Sequence, residues 1–278
     1  MADSTIARFA SKSLSPWNGE GLRVPSLQQE SFLNRRLSTR LPGFPIGKDI
    51  EFLCLADDGA LYYCKGDKDG QPLRAIEWIF TNLAEHLGLS VADCAVIEDY
   101  DGQTFFGSRS PSSVADQVEV NLYIGSPSRG ELGQPLPWLG QYLSRLWAYD
   151  LFLDNPDRCL PNFILDTDGQ PRRIRAIDFA SARLMHFSTD RFPVESEHTV
   201  WVGRIVRKTH GPHLESALEM IDRIAAVPLN EIDRIVGQMP ADWLSVDQRK
   251  GLSGFWSEGR RLNRIERLRA LVRHESQI

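Results

Sequence analysis

Three polar residues, Asp157, Asn162 and Asp178, constrain this chain more than any other feature, because the sequence between them folds back on itself. They lie within Leu151–Arg183, LFLDNPDRCLPNFILDTDGQPRRIRAIDFASAR, behind a segment rich in helix formers, Trp138–Asp154. After a tight polar loop come a short apolar run, Asn162–Leu165, an Asp168-Gly169 turn, and a second run, Arg173–Ile177. An Asp-Gly pair between two strand-like runs is a hairpin signal. Closing that hairpin brings Asn162, at the start of one strand, beside Asp178, at the end of the other, with Asp157 at the same end. Two carboxylates and a carboxamide then meet, all oxygen donors suited to a hard cation such as magnesium. Phosphoryl transfer needs such a set: a carboxylate facing an acceptor hydroxyl, and Asn and Asp holding metal on phosphates. The same residues also suit an ordinary solvated loop and hairpin, since turns favour Asp and Asn. The rest of the chain has to decide.

Asn155-x-Asp157-Arg158-x-x-x-Asn162 followed by Ile177-Asp178 resembles the catalytic loop and metal-binding aspartate of the HipA-like kinases, an atypical branch of the protein-kinase-like fold. The skeleton is also similar to type II phosphatidylinositol 4-kinases and to aminoglycoside/choline phosphotransferases. The resemblance implies that Asp157 positions the acceptor or acts as base, and that Asn162 and Asp178 bind magnesium. It implies an α+β, two-lobed protein-kinase-like fold. The N-lobe would be a small antiparallel sheet with one main helix, and the C-lobe mainly helical.

A strand lysine and a helix glutamate are the second half of such a site, the lysine contacting the α and β phosphates and the glutamate orienting it. Glu51–Leu55 and Ala60–Cys64 flank Asp57-Asp58-Gly59, a second hairpin signal ending in Lys65. The following LRAIEWIFTNLAEHLGL has helical apolar spacing, carries Glu77, and closes at Gly88, where a C-cap belongs. Lys65 and Glu77 therefore fit the pair. Taken singly, either is an ordinary exposed residue; five positions in the right order are harder to obtain by chance. Cys94–Ile97 and Gln103–Phe106, around Asp101-Gly102, complete the small sheet. Phe106-Gly107-Ser108-Arg109 again resembles HipA-like sequences, with Arg109 either lining the cleft or ending a strand.

The run Val118–Ile124 precedes GSPSRGELGQPLP, where the lobe boundary is expected. In this fold a hinge strand binds the adenine edge, which implies Val120, Asn121 and Tyr123 as nucleotide contacts. The resulting division is an extension over 1–45, an N-lobe over 46–128 and a C-lobe over 129–278. Within the extension the helical candidate is Leu27–Leu37. A G-x-G-x-x-G phosphate loop is missing; Gly43–Lys48 offers backbone N–H groups instead, although it reads more readily as the end of the extension. Beyond Arg183, helices are expected over Leu214–Val227, Leu229–Met239, Val246–Phe255 and Ser257–His274. Arg183–Thr199 corresponds to an activation segment, with Ser188, Thr189 and Ser196 as phosphorylation candidates on composition alone.

The 278 residues carry a net charge of −5, which gives no electrostatic case for nucleic acid or an anionic membrane. The C-terminal arginines, interspersed with glutamates, read as a solvated helix face. Four scattered cysteines lack a Cys-x-x-Cys pair, and His186, His198, His210 and His213 form no metal pattern. Cys159 reads as an inert thiol without a neighbouring histidine. No stretch suits a signal peptide or a membrane span, so a cytoplasmic protein is expected. The implied activity is ATP- and magnesium-dependent phosphorylation of a serine or threonine on a protein, autophosphorylation included, in a toxin–antitoxin or related bacterial setting. A small-molecule or lipid-headgroup kinase and a pseudokinase binding module are the alternatives.

Overall fold

The computed structural model describes residues 34–42, 47–127, 137–167, 172–257 and 259–275, all within one compact unit, Ser31–Ile278. Strands β1 (Asn34–Leu41), β2 (Phe52–Ala56), β3 (Leu61–Lys65), β4 (Cys94–Glu98) and β5 (Thr104–Arg109) form a closed barrel in the order β1-β2-β3-β5-β4. The expected antiparallel sheet is corrected here: β1 pairs antiparallel with β2 but parallel with β4, and this closes the ring. Strand β1 also overturns the helical reading at its Asn34–Leu37 end; Leu27–Leu33 lies outside the described residues. Only Leu37 of NRRLSTRL is buried, so the strand carries no apolar alternation by which it could have been recognised. Closure leaves no edge strand to protect.

The period of two along each strand sorts the residues. Phe52, Cys54, Tyr62, Cys64, Ile97 and Phe105 point into the barrel and fill it, with Phe52 edge-on to Phe105 at 4.8 Å. Neighbours of opposite parity, Val96 and Phe106, pack outward against helix α1 (Leu73–His86). That helix ends in a Schellman motif: Gly88, at φ 80°, donates to Glu85 O (2.8 Å) and Leu89 to Ala84 O (2.9 Å).

Helix α2 (Gln117–Gly125) stands where a hinge strand was expected. Its N-cap Asp116 accepts from the Glu119 N–H (2.8 Å). Then come α3 (Trp138–Leu153), the hairpin β6 (Phe163–Asp166) and β7 (Arg173–Ala176), and helices α4 (His198–His210), α5 (Leu214–Ala226), α6 (Leu229–Gly237), α7 (Val246–Ser257) and α8 (Arg260–Glu275). The hairpin pairs as read; its Asp168-Gly169 turn lies outside the described residues. Helix α4 was not legible, whereas α5 to α8 follow the sequence closely. Helix α3 is the buried centre of this part, flanked by α4, α5 and α8.

Helix α1 belongs to the same core as α3. Trp78 Nε1–H donates to Ile235 O (3.0 Å) and meets Trp243 edge-on, while the Tyr149 hydroxyl donates to Phe80 O (2.7 Å). The helix carrying Glu77 is thus fastened to the helical part as well as to the barrel.

Candidate active site

A cavity of about 410 Å³ separates the barrel from the helices, within the size range of small-ligand sites. Tyr63 and Lys65 reach it because the parity that sends Cys64 into the barrel sends them outward. Lys65 Nζ donates to Glu77 Oε1 (2.5 Å) and to Asp178 Oδ1 (2.9 Å), joining barrel, helix α1 and the end of the hairpin. Glu77, 1% exposed, also accepts from the N–H groups of Phe179 (3.0 Å) and Ala180 (3.1 Å). Four hydrogen bonds converge on one ion triad. Asp178 therefore meets Lys65 and Glu77 from over a hundred positions further along the chain.

Burial acts against every charge here, and the partners decide the outcome. It would lower the Lys65 pKa, yet Glu77 and Asp178 hold the ammonium above its ordinary value. Burial also pushes the Asp178 carboxyl up, but Lys65 outweighs it and the net shift is downward. On the fully buried Glu77, burial dominates and raises the carboxyl against the pull of Lys65.

Asp178 has φ 63°, in the left-handed region. A non-glycine residue held there costs on the order of 1–3 kcal/mol and persists only where its surroundings impose it. The residue before Asp178 is held by Arg158, 2% exposed, which donates from Nε to Asp150 Oδ2 (2.8 Å), from Nη1 to Asn162 O (3.1 Å), and to Ile177 O. One arginine thus clamps the 155–162 loop to the residue preceding Asp178. Asn155 shares Asp150, donating to its Oδ1 (2.7 Å), and accepts from the Asp157 N–H (3.2 Å). Asn162 Nδ2 donates to Asp157 O (2.7 Å), which fixes the amide and leaves Oδ1 available as a ligand.

Asn162 and Asp178 both line the cavity, whereas Asp157 stands outside its lining with a half-exposed carboxylate. Among the described residues no group of three or more His, Cys, Asp or Glu side chains could hold a metal unaided. A cation here would take Asn162 and Asp178 as protein ligands and complete its shell from phosphate oxygens and water, the usual habit of magnesium.

Two sequence expectations need correcting. Val120, Asn121 and Tyr123 sit in helix α2, with the Val120 N–H spent on Asp116 O (3.0 Å), and of the three only Val120 lines the cavity. The connection between β5 and α2 lines the cavity through Ser110, Val114 and Ala115. Gly47 and Lys48 belong to the β1–β2 connection and line the cavity with Asp49 and Ile50; Gly43–Ile46 lies outside the described residues. Arg109 ends β5 and faces a separate outer groove.

The cysteines are free, with Cys54 and Cys64 facing each other inside the barrel (Sγ to Sγ 3.5 Å). Burial raises the Cys159 thiol, in keeping with an inert residue. Of the C-terminal arginines, Arg264 departs from the solvated-face reading. It is wholly buried and donates to Leu151 O (2.9 Å), Phe152 O (2.7 Å) and Arg191 O (2.6 Å). No helix among the described residues is long and apolar enough to cross a membrane.

The barrel, the fastened helix α1 and the clamped loop and hairpin make this a kinase-like fold. The Helicobacter pylori proinflammatory kinase CtkA superposes with a TM-score of 0.57 over 85% of this chain and 96% of that chain, at 12% identity. Residues 44–121, which span strands β2 to β5 and helix α1, match the model of the HipA-like kinases. Two further structures are more distant in shape. HipA of Shewanella oneidensis MR-1, in a complex with HipB and operator DNA, has a TM-score of 0.47 over 78% of this chain and 60% of that one, at 12% identity. APH(2″)-IIia, bound to GDP and kanamycin, has a TM-score of 0.30 over 87% of this chain and 94% of that one, also at 12% identity. No curated protein matches the chain in sequence.

Proposed function

We propose that the chain is an ATP- and magnesium-dependent phosphotransferase that moves the γ-phosphate to a serine or threonine hydroxyl of a protein, itself included. The observation that carries this reading is the Lys65 ammonium, held between Glu77 and Asp178 at the edge of a cavity of about 410 Å³. A binding scaffold has no need to keep a buried lysine charged between two carboxylates, one of them in a strained backbone conformation.

In this reading Lys65 meets the α and β phosphates, and the β1–β2 connection covers them with backbone N–H groups from Gly47 onward. The adenine edge lies against the connection between β5 and α2, with 46–128 and 129–278 as the two lobes. Asn162 and Asp178 hold magnesium, which when bound neutralises charge developing on the transferred phosphoryl group. Asp157, outside the cavity wall, accepts the hydrogen bond of the incoming hydroxyl and takes its proton as the hydroxyl oxygen bonds to the γ-phosphorus. The bond from that phosphorus to the β–γ bridging oxygen breaks, releasing ADP. The chain contributes little covalent chemistry; positioning and charge neutralisation supply most of the acceleration. A protein acceptor follows from the HipA-like resemblance, as do a cytoplasmic setting and a toxin–antitoxin role.

The test is labelled ATP with three proteins. Wild type should transfer label to protein, Asp157→Ala should lose transfer while keeping ATP-induced thermal stabilisation, and Asp178→Ala should lose both transfer and the magnesium-dependent part of that stabilisation. Label moving to a small molecule would redirect the acceptor assignment. Wild-type turnover in both variants would overturn the roles.

A further inference from the structure

The acceptor-facing role of Asp157 requires its carboxylate to hold one orientation. Its own loop fixes only its backbone: the N–H donates to Asn155 Oδ1 (3.2 Å) and the carbonyl accepts from Asn162 Nδ2 (2.7 Å). Among the described residues, the one hydrogen-bond partner of the carboxylate is His198, whose Nδ1 lies 2.7 Å from Oδ1.

His198 is held there by its neighbours on both sides. Thr199, fully buried, is wired into the loop three times. Its N–H donates to Pro156 O (3.2 Å), its hydroxyl donates to Asn155 O (2.6 Å), and its Oγ1 accepts from the Arg158 N–H (3.0 Å). Glu197 accepts from Arg183 (2.8 Å), and Arg183 in turn grips Asp154 (2.6 Å). The start of helix α4 and the 154–158 loop are therefore tied to one another by hydrogen bonds, and His198 sits at that junction.

We propose that His198 is a positioning residue for phosphoryl transfer. Its Nδ1–H holds Asp157 Oδ1 and turns Oδ2 toward the acceptor hydroxyl. The inference rests on the reading of Asp157 as the acceptor-facing carboxylate. A solvent-exposed pair of this kind contributes little to folding, so its effect should be read in the rate and not in stability. A misdirected carboxylate costs orientation, and losses of at least about tenfold follow from small misplacements.

The experiment measures consumption of labelled ATP, with transfer to the protein or to water, in His198→Ala, His198→Asn and His198→Gln. Asparagine can offer an N–H close to where Nδ1 stood; glutamine places its amide too far out. His198→Ala and His198→Gln should lower kcat about tenfold, with the KM for ATP and the melting temperature unchanged, and His198→Asn should recover most of the loss. Adding His198→Ala to Asp157→Ala should change nothing further. Independently of turnover, nitrogen NMR should find His198 Nδ1 protonated in the wild type and no longer preferentially so in Asp157→Ala.

An unchanged kcat in His198→Ala beside an inactive Asp157→Ala would overturn the positioning role and leave the Asp157 reading standing. An active Asp157→Ala would bring down that reading itself. A loss of rate accompanied by a lowered melting temperature, or one that asparagine fails to relieve, would make the contact merely structural.

Discussion

Replacing Glu77 with glutamine removes one charge from the most buried part of the site while keeping its shape. The Lys65 side chain, 7% exposed, would retain a single carboxylate, Asp178 at 2.9 Å. Glutamine's carbonyl can still accept from one of the N–H groups of Phe179 and Ala180, but its amide nitrogen faces a donor. Removing one side of a buried ion pair costs about 3–5 kcal/mol, because the other charge stays behind uncompensated. Since Asp178 compensates in part, the lower end applies, about 3 kcal/mol or a fall of about 6–12 °C in melting temperature. Lys65→Met should cost a similar amount by stranding Glu77. The double variant, which leaves only the part-exposed Asp178 without its lysine, should be about 2 kcal/mol better than the sum of the two. Urea denaturation and thermal unfolding of the four proteins, at neutral pH and without nucleotide, measure the cycle. Additivity within about 0.5 kcal/mol would refute the argument that the triad is one coupled, desolvated unit.

Other consequences follow from the same geometry. Burial pushes the Glu197 carboxyl up, but hydrogen bonds from Arg183 and the Val194 N–H outweigh it and leave its pKa lowered. A lowered carboxyl stabilises the fold above the ordinary carboxylate range and loses that contribution as pH falls through the folded value. The stability gap between wild type and Glu197→Gln should therefore hold from pH 7 to about pH 5 and shrink as pH falls below about 4; a gap that widens on acidification would contradict the assignment. Gly107→Ala would set a Cβ 2.5 Å from Ile97 Cγ1 inside the filled barrel, and should cost about 1–3 kcal/mol by chemical denaturation. Arg264→Met removes a buried donor to the backbone carbonyls of Leu151, Phe152 and Arg191, and should open the 188–192 stretch to limited proteolysis well before global unfolding. Unchanged cleavage there would show that this arginine does not order the segment.

The geometry of the candidate site was legible where its contacts are local. Asp157 and Asn162 share one loop, and a hairpin fixes Asn162 relative to Asp178 whatever the rest of the chain does. Lys65 at the end of a strand and Glu77 inside an amphipathic helix follow from periodicities of two and 3.6. Helix α2 was missed because VEVNLYI alternates, while its helical pairs, Val120 with Ile124 buried and Val118 with Leu122 exposed, are apolar on both faces. The capping pattern Asp116-x-x-Glu119 was the signal that could have identified it.

From residue order alone, then, come the turns, the loop, the strand lysine and the helix glutamate, because each depends on neighbours a few positions away. Pairing of β1 with β4, the burial of Arg158 and Arg264, the left-handed backbone of Asp178 and the meeting of His198 with Asp157 depend on the tertiary structure. Each joins segments distant in sequence, and a polar side chain's spacing does not reveal whether it will meet water, a backbone carbonyl or a carboxylate brought from elsewhere. Burial and long-range partners settle that only after the chain has closed on itself.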